Sequence, residues 1–324
     1  MLTTRFTDLV GCTVPIQQAP MGSFARARLA AAVSAAGGLG MVVVTGEGPE
    51  RIARRLDEAL EMSPGPIGAN FFLLFCEPET LPECVATAAA RAQVIDFFYG
   101  EPDPALVAVV HEHGALASWQ VGSREEALAA EAAGGDFIVA QGVEAGGHVR
   151  GHISLLTLLS EVLDAINIPV LAAGGIGTGR AMAAVLAAGA DGVRVGTRFV
   201  AAEEAEAHPH YVEALIASRA ADTVFGDTFT GGYTGAPHRV LRASADAAKA
   251  FRGEVVGKTY NPETGTTDPI QHLEKMTATR HATGMIEAMP HWAGESVSGV
   301  HGVQPTATII DEMVSEAEAL LRRW

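Results

Sequence analysis

Short apolar runs of four to six residues alternate with alanine-rich segments along the first part of the chain. The runs are bounded by glycine or proline, which is typical of strands buried on both faces of a parallel sheet. They predict strands at Pro15–Ala19, Met41–Val44, Ile67–Phe72, Gln93–Phe97, Leu116–Gln120, Phe137–Gln141, Val170–Ala173 and Gly192–Val195. Because each is followed by a helical pattern or a helical loop, the eight strands predict a (β/α)8 TIM barrel, an α/β fold, rather than an open sheet.

The alanine-rich segments have the period of amphipathic helices. They predict helices at Arg26–Ala36, Pro49–Glu61, Arg124–Ala133, Leu155–Ala165 and Arg180–Ala188. Three segments end in Ala-Ala-Gly, at Gly37, Gly134 and Gly189, so these glycines are expected to end helices in the left-handed conformation. The uncharged stretch Leu29–Gly46 is long enough for a membrane span, but its glycines divide it, and we predict a helix followed by a strand there.

The strand–helix rhythm stops after about residue 205. Residues 206–302, called the lid segment below, contain all three lysines and several Pro/Gly turns, and we predict a smaller lid domain, inserted after the eighth strand, that covers the barrel mouth. The amphipathic end, Thr308–Trp324, is predicted to be a helix that returns to the barrel. Residues 1–205 and 303–324 would then form the barrel domain.

Composition narrows the classes of function. The net charge of −16 argues against nucleic acid and anionic membranes as partners. Three cysteines without a CxxC spacing indicate a reduced protein with no disulfide frame and no structural zinc. The beginning of the chain lacks an apolar core of signal-peptide length, so a cytoplasmic location is expected.

The last two predicted strands lead into "PVLAAGGIGTGR" (169–180) and "DGVRVGTRF" (191–199). The loops after the seventh and eighth strands of a TIM barrel commonly bind phosphate through backbone N–H groups. Gly174, Gly175 and Gly196 would leave such groups accessible, and Thr197 adds a hydroxyl. We predict one phosphate site here, although the glycines could also serve only to end the strands. Arg180 occupies the place of a third glycine, so a Rossmann dinucleotide site is not predicted.

The sixth strand runs into "FIVAQGVEAGGHVRGH" (137–152), where glycines surround His148. Glycine lets a backbone approach a flat or charged ligand and adopt positive φ without strain. A neutral imidazole can accept a proton or hydrogen-bond an anionic substrate, so His148 is the candidate catalytic residue. The alternative is a histidine satisfied within the loop. His152 lies four residues on, but Gly151 and the loop context argue against a metal pair, and we predict no metal site.

Five segments, in this order, resemble the nitronate monooxygenase family, formerly called 2-nitropropane dioxygenases. They are "QAPMG", "GANF", "AQGVEAGGHVRG", "PVLAAGGIGTGR" and "VRVGTRF". The similarity covers roughly the first 200 residues, and "MPHWAGESVSG" (289–299) is similar to a late segment of the family.

The resemblance implies an FMN-binding barrel with a smaller lid domain. It assigns the histidine beside the reactive edge of the flavin to His148. Residue by residue, it implies flavin-binding positions at Met21, Gly22, Asn70, Gln141, Gly146, Gly147, Gly174, Gly175, Arg194, Val195, Gly196 and Thr197. Many members read GGHRG where this chain reads GGHVRG, which leaves the place of Arg150 open.

The activity that the resemblance implies is FMN-dependent oxidation of alkyl nitronates, small-molecule substrates, by O2. A second interpretation keeps FMN and changes the substrate, to an NAD(P)H-using enoyl-thioester or quinone reductase or an acyl-CoA-acting flavoenzyme. In "GAPHRVLR" (235–242), Arg239 and Arg242 could then meet a CoA or nucleotide phosphate, or lie in a solvated turn. A flavin-free barrel of the IMP dehydrogenase type needs a cysteine near strand six, whereas the last cysteine is Cys84. A non-catalytic phosphate-binding barrel, a homodimer and the use of NAD(P)H stay open.

Overall fold

The computed structural model describes residues 2–63, 65–231, 235–261 and 265–323. Its strands are β1 Ile16–Gln18, β2 Gly40–Val43, β3 Ile67–Phe72, β4 Val94–Phe98, β5 Leu116–Val121, β6 Phe137–Gln141, β7 Gly147–His148, β8 Val170–Ala173, β9 Gly192–Val195, β10 Thr223–Gly226, β11 His238–Leu241, β12 Val255–Asn261, β13 Thr266–Gln271 and β14 Ala282–Gly284. Its α-helices are α1 Arg5–Val10, α2 Ala27–Ala35, α3 Pro49–Met62, α4 Leu81–Ala89, α5 Pro104–Glu112, α6 Arg124–Ala132, α7 Leu155–Leu163, α8 Gly179–Ala187, α9 Thr197–Val200, α10 Pro209–Ala217, α11 Arg242–Ala250 and α12 Thr306–Leu321.

Eight parallel strands form the barrel in the order β1-β9-β8-β6-β5-β4-β3-β2. The two ends of this sheet meet at Leu39, whose N–H donates to the Ile16 carbonyl at 2.9 Å and whose carbonyl accepts from the Gln18 N–H at 3.0 Å. The predicted TIM-barrel fold is therefore confirmed. The ends of the eight strands differ from the predicted ends by one residue at most, because strands buried on both faces produce uninterrupted apolar runs.

The helices between the strands cover the outside of the barrel, and α1 closes its N-terminal end. Phe6 and Val10 of α1 pack inside the barrel against a cluster of buried residues that includes Leu39, Met41 and Phe137. Arg5 fixes this plug, since its Nε and Nη2 donate to the Asp191 carboxylate at 2.8 and 2.6 Å. This end is thus filled by protein, which leaves the C-terminal end for a ligand.

The predicted helix ends are also confirmed. Gly37, Gly134 and Gly189 have φ of 92°, 95° and 107°, the left-handed region in which glycine is favoured. The uncharged stretch 29–46 divides into α2 and β2. Across the described ranges, every helix is too short or too polar to traverse a bilayer. Helices α4 and α5 lie where the sequence analysis named none.

After β9 the chain makes α9 and α10 and then two small antiparallel sheets. One of them joins the lid segment to the loop after β6, because β11 pairs with β7 through His238 opposite His148 and Arg239 opposite Gly147. The last helix begins at Thr306, two residues before the predicted start, and Trp324 lies outside the described residues. It packs on α8, where a side chain at Gly179 would place its Cβ 2.3 Å from the Met313 carbonyl oxygen.

Candidate active site

A cavity of about 630 Å³ lies at the C-terminal end of the barrel strands. Every barrel strand contributes a residue in or next to its carboxyl end. These residues are Ala19, Val43, Asn70, Phe98, Gln120, Gln141, Ala173 and Arg194. Eleven of the twelve predicted cofactor residues, and His148, line this cavity. The exception is Val195, whose side chain is fully buried in the core between strands and helices. This orientation follows from the two-residue period of a strand, which turns the Val195 side chain outward when Arg194 faces inward.

The glycine loops after β8 and β9 form one side of the cavity. Gly174 and Gly175 have φ of 107° and 69°. A Cβ at Gly196 would lie 3.3 Å from the Ala19 Cβ, so this stretch of backbone has little room for a side chain. The Thr197 hydroxyl accepts a hydrogen bond from the Gly294 N–H at 3.0 Å, which leaves its own proton available to a ligand.

Glycine is needed in the loop after β6 for two different reasons, close packing and backbone conformation. A Cβ at Gly146 would lie 2.3 Å from the Gly294 nitrogen, and one at Gly142 would lie 2.6 Å from the Leu155 Cα. Close packing of protein on protein therefore requires glycine at both positions, and the expectation that these glycines make room for a flat ligand stays a prediction. Gly147 differs, because it has φ of 72° and a Cβ added there would meet no atom of the described residues within 4 Å.

Two side chains hold the loop that carries His148. The Gln141 amide donates to the His148 carbonyl and accepts from the Arg150 N–H, both at 2.9 Å. The Tyr99 hydroxyl donates to the Val149 carbonyl at 2.8 Å. Tyr99 itself has φ of 59°, an uncommon conformation for a residue with a side chain, and such residues concentrate at functional sites. The loop is therefore positioned by side chains on β6 and directly after β4.

The imidazole of His148 lies among aromatic rings at the edge of the cavity. The ring centroids of Phe72, Trp292 and His238 are 5.0, 5.4 and 5.9 Å from its own. Burial, together with the neighbouring His238 and Lys275, lowers the pKa of His148 to about 3. The imidazole is consequently neutral near pH 7, as a proton acceptor must be, and its protonated form is disfavoured.

The three arginines left open by the sequence are engaged by protein groups. The Arg150 Nε lies 2.7 Å from Glu126, and its guanidinium lies over the Tyr99 ring at 5.1 Å. Arg239 is buried and donates to the Val143 carbonyl from Nε and Nη2 at 3.1 and 2.9 Å. It therefore ties the lid segment to the loop after β6. Arg242 is exposed and donates to a backbone carbonyl at 3.3 Å. None of these three residues lines the cavity in the described part of the chain.

The floor of the cavity is a polar network that the sequence analysis did not predict. Arg194 extends from β9 across the barrel interior to Asp96 of β4, with Nη2 2.6 Å from Oδ1, and the two side chains are 2% and 0% exposed. The Arg194 Nε donates to Gln17 at 2.8 Å, and Nη1 donates to Gln120. Asn70, a predicted flavin residue, donates to Asp96 Oδ2 at 2.7 Å.

The lid segment contributes a second group of unpredicted residues. Glu274, Lys275, Met276, Thr277 and Trp292 line the cavity. The Trp292 indole donates to the Thr277 hydroxyl at 2.6 Å. The Lys275 ammonium lies 2.8 Å from the centroid of the Phe75 ring, and burial lowers its pKa to about 8. The segment around Trp292 could be recognised in the sequence, whereas no motif near Lys275 indicated a place for this residue in the site.

The chain is similar in sequence and in fold to known proteins. The sequence profile of the nitronate monooxygenase family matches residues 3–86 and 83–316. A nitronate monooxygenase of Pseudomonas aeruginosa is 34% identical over 288 residues, covering 74% of this chain and 81% of that protein. A (3aS,4S,5R,7aS)-5-hydroxy-7a-methyl-1-oxo-octahydro-1H-indene-4-carboxyl-CoA dehydrogenase of Rhodococcus jostii is 32% identical over 256 residues, covering 79% and 70%. The solved structure of FabK from Thermotoga maritima superposes with a TM-score of 0.84 at 30% identity, covering 100% of this chain and 98% of that one.

Proposed function

Because this chain belongs to the nitronate monooxygenase family, an oxidoreductase family, we propose that it binds FMN in the barrel cavity and oxidises alkyl nitronates with O2. The observation that carries the proposal is the meeting, in one cavity, of the glycine loops after β8 and β9 with a half-buried, neutral His148. Bound FMN would supply the redox chemistry, and the protein groups would orient the substrate and exclude water.

The phosphate end of FMN fits the glycine loops. Gly175 and Gly196 lie in the loops after β8 and β9, where a TIM barrel commonly holds a phosphate. We assign phosphate contacts to Gly174, Gly175, Gly196 and Thr197, with the Thr197 hydroxyl as a donor. The pair of loops can surround one phosphate, which suits FMN better than the pyrophosphate of FAD.

The ring end fits the polar floor and the barrel mouth. Asn70, Gln141 and Arg194 bring amide and guanidinium groups to the floor of the cavity, which suit the carbonyl and N–H groups of an isoalloxazine edge. Met21 and Gly22, after β1, and Gly146 and Gly147, after β6, line the same cavity. These positions complete the proposed flavin site.

His148 is the proposed catalytic residue. A nitronate is already an anion, so an active site for it needs a hydrogen-bond partner rather than a strong base. A neutral histidine with a pKa lowered to about 3 is a weak base, which favours pre-formed nitronate over the neutral nitroalkane as the better substrate.

We also propose that the lid segment, residues 206–302, acts as a lid domain over the mouth. The contribution of Lys275, Thr277 and Trp292 to the cavity lining supports this division, as does the pairing of β11 with β7. A lid would shield the flavin and substrate from bulk water.

A second candidate substrate is an acyl-CoA thioester. The Rhodococcus jostii relative, whose name specifies a CoA dehydrogenase, favours it. The engagement of Arg239 by Val143 and Thr223 weakens it, since one of the two arginines that could have met a CoA phosphate has a structural role instead.

Two measurements on the purified protein test the proposal. Denaturation should release FMN, and release of FAD or a colourless protein that ignores added FMN would contradict it. Anaerobic mixing should then bleach the flavin rapidly with an alkyl nitronate and slowly with NAD(P)H. Rapid bleaching by NAD(P)H alone would instead favour the reductase or thioester interpretation.

A further inference from the structure

We propose that Asp96 is a positioning residue that sets the reduction potential of the bound flavin through Arg194. This inference rests on the proposed binding of FMN. Asp96 is fully buried on β4 and has no other part in the proposed reaction.

Arg194 lies between the cavity and the carboxylate. Arg194, Gln120 and Asn70 line the cavity, whereas Asp96 and Gln17 do not among the residues described. Asp96 therefore acts on a ligand only through the groups in front of it.

The hydrogen bonds of this network fix both charges in place. Three of the five N–H donors of Arg194 are occupied, by Gln17, Gln120 and Asp96. The carboxylate of Asp96 accepts from Arg194 at 2.6 Å, from Asn70 at 2.7 Å and from Ser118 at 2.8 Å. Three donors converge on its two oxygens, so the group is held as an acceptor and its negative charge offsets that of Arg194.

The electrostatic consequence concerns reduction. Two-electron reduction of a flavin with uptake of one proton leaves one negative charge on the ring. An uncompensated guanidinium at the cavity floor would stabilise that charge, and Asp96 removes most of this stabilisation. The floor is thereby nearly neutral, which keeps the potential low and favours passage of electrons to O2.

The test compares two isosteric substitutions, one at each end of the barrel. Asp96→Asn leaves Arg194 uncompensated, and we expect the equilibrium ratio of reduced to oxidised flavin to rise about tenfold. This is the effect of one unit charge over about 10 Å at an effective dielectric constant of ~20. In a two-electron couple it corresponds to about 30 mV. The matched control is Asp191→Asn, which breaks the Arg5 ion pair at the closed end of the barrel. We expect it to lower thermal stability and to change the ratio of reduced to oxidised flavin by no more than about twofold.

A third variant predicts the opposite sign. Gln17 is fully buried, and its side-chain oxygen accepts from the Arg194 Nε at 2.8 Å. Gln17→Glu would place a second carboxylate at this nitrogen. The ratio should then fall about tenfold, a change that loss of stability alone would not produce. Potentials are measured by anaerobic titration with dithionite against a reference dye. Equal shifts in Asp96→Asn and Asp191→Asn, or no downward shift in Gln17→Glu, would overturn the inference, and if Asp96→Asn does not fold, Gln17→Glu decides alone. A wild-type protein that binds no flavin would overturn the proposed function and this inference with it, whereas a flavin-loaded protein without these shifts would overturn the inference alone.

Discussion

The two walls of the cavity differ in the structural elements and the kinds of group that form them. The barrel wall, formed by Asn70, Gln141, Gly175, Arg194 and Gly196, consists of backbone and of side chains hydrogen-bonded into the barrel interior. The lid wall, formed by Lys275, Thr277 and Trp292 and faced by His148, consists of side chains on irregular chain. The first suits a ligand that must be held in one place, and the second suits recognition of a variable substrate. We therefore assign cofactor retention to the barrel wall and substrate choice to the lid wall.

The walls also differ in how they are fastened. The barrel wall rests on a closed parallel ladder of eight strands. The lid segment joins the loop of His148 through two paired residues, His238 and Arg239, and through separate hydrogen bonds. Among these, Arg239 donates to the Val143 carbonyl, the Val149 N–H donates to Pro237, and the Glu295 N–H donates to Glu144. Changes at the lid wall should therefore alter turnover while flavin stays bound. The predictions below test this difference between the walls, or the stability of the segments that join them.

The largest effect is expected from His148→Ala. With a neutral nitroalkane, kcat/KM should fall about 10²-fold, the lower end of the usual contribution of a positioned proton acceptor, because a group with a pKa of about 3 is a weak base. With pre-formed nitronate no proton leaves, and loss of one hydrogen bond should cost about five- to tenfold. Flavin content, measured by absorbance, should match the wild type, because the residues proposed to hold the cofactor lie in the barrel wall.

His152→Ala is the matched control for this substitution. Its exposed ring packs on Phe225 and lies outside the cavity lining, so both substrates should be unaffected. Because the pKa of His148 is lowered to about 3, the pH–rate profile should carry no ionisation of this group between pH 5 and 8. Equal losses with both substrate forms would make His148 a binding residue and not a base.

The next largest effect separates two adjacent glycines. Gly146→Ala would bring its Cβ to 2.3 Å from the Gly294 nitrogen, and such overpacking costs about 2–3 kcal/mol. Gly147→Ala meets no described atom within 4 Å and should cost about 1 kcal/mol, from the left-handed backbone alone. Chemical denaturation of both variants measures the difference. A larger loss for Gly147→Ala would mean that the loop does not rest on the segment around Gly294.

The barrel was predictable from the sequence for a physical reason. Strands buried on both faces read as apolar runs, and the Ala-Ala-Gly endings mark helix termini, so eight strands and three helix ends could be located. The pair Arg194–Asp96 could not, although each charge stands out in an apolar strand. The two residues are 98 positions apart, and only closure of the barrel brings them together.

The lid wall was predictable to a smaller extent. The family-like segment near Trp292 indicated that this part matters, but nothing repeats in residues 206–302 that would fix where each side chain lies. The position of Lys275 over Phe75 depends on tertiary packing of irregular chain. Val195 was assigned to the flavin site from its place in a motif. Its side chain faces the core because successive side chains of a strand point to opposite faces, and Arg194 faces the cavity.

A smaller effect concerns acid stability of the lid side. His291 is 2% exposed, and burial lowers its pKa to about 4, against about 6.5 in the unfolded chain. The folded state therefore keeps it neutral while the unfolded state takes up a proton below pH 6.5. Stability is full above pH 6.5 and is lost as the pH falls towards 4. Between pH 7 and 5 this group should cost about 2 kcal/mol of unfolding free energy.

The comparison for this pH effect is His291→Gln, which can still donate to the Ile286 carbonyl that His291 Nε2 contacts at 3.1 Å. Its unfolding free energy should fall about 2 kcal/mol less between pH 7 and 5 than that of the wild type. Urea denaturation at both pH values measures the difference. The same decrease in both proteins would show that the pKa of His291 is not lowered in the folded state.

The smallest effect is expected from Arg242→Ala, and it bears on what the lid wall recognises. Arg242 is exposed, outside the cavity lining, and bonded only weakly to the Thr223 carbonyl at 3.3 Å in the described structure. Its removal should change stability by less than about 0.5 kcal/mol, as for most surface substitutions. For an alkyl nitronate, kcat/KM should stay within about twofold, because the small anion never reaches this turn.

Arg252→Ala is the control, an exposed lid-segment arginine that likewise donates to a backbone carbonyl, at 2.8 Å. A KM for a CoA thioester that rises about tenfold in Arg242→Ala and not in Arg252→Ala would correspond to a lost phosphate contact. That result would transfer the substrate assignment from the nitronate to the thioester while leaving the barrel wall and its flavin as proposed.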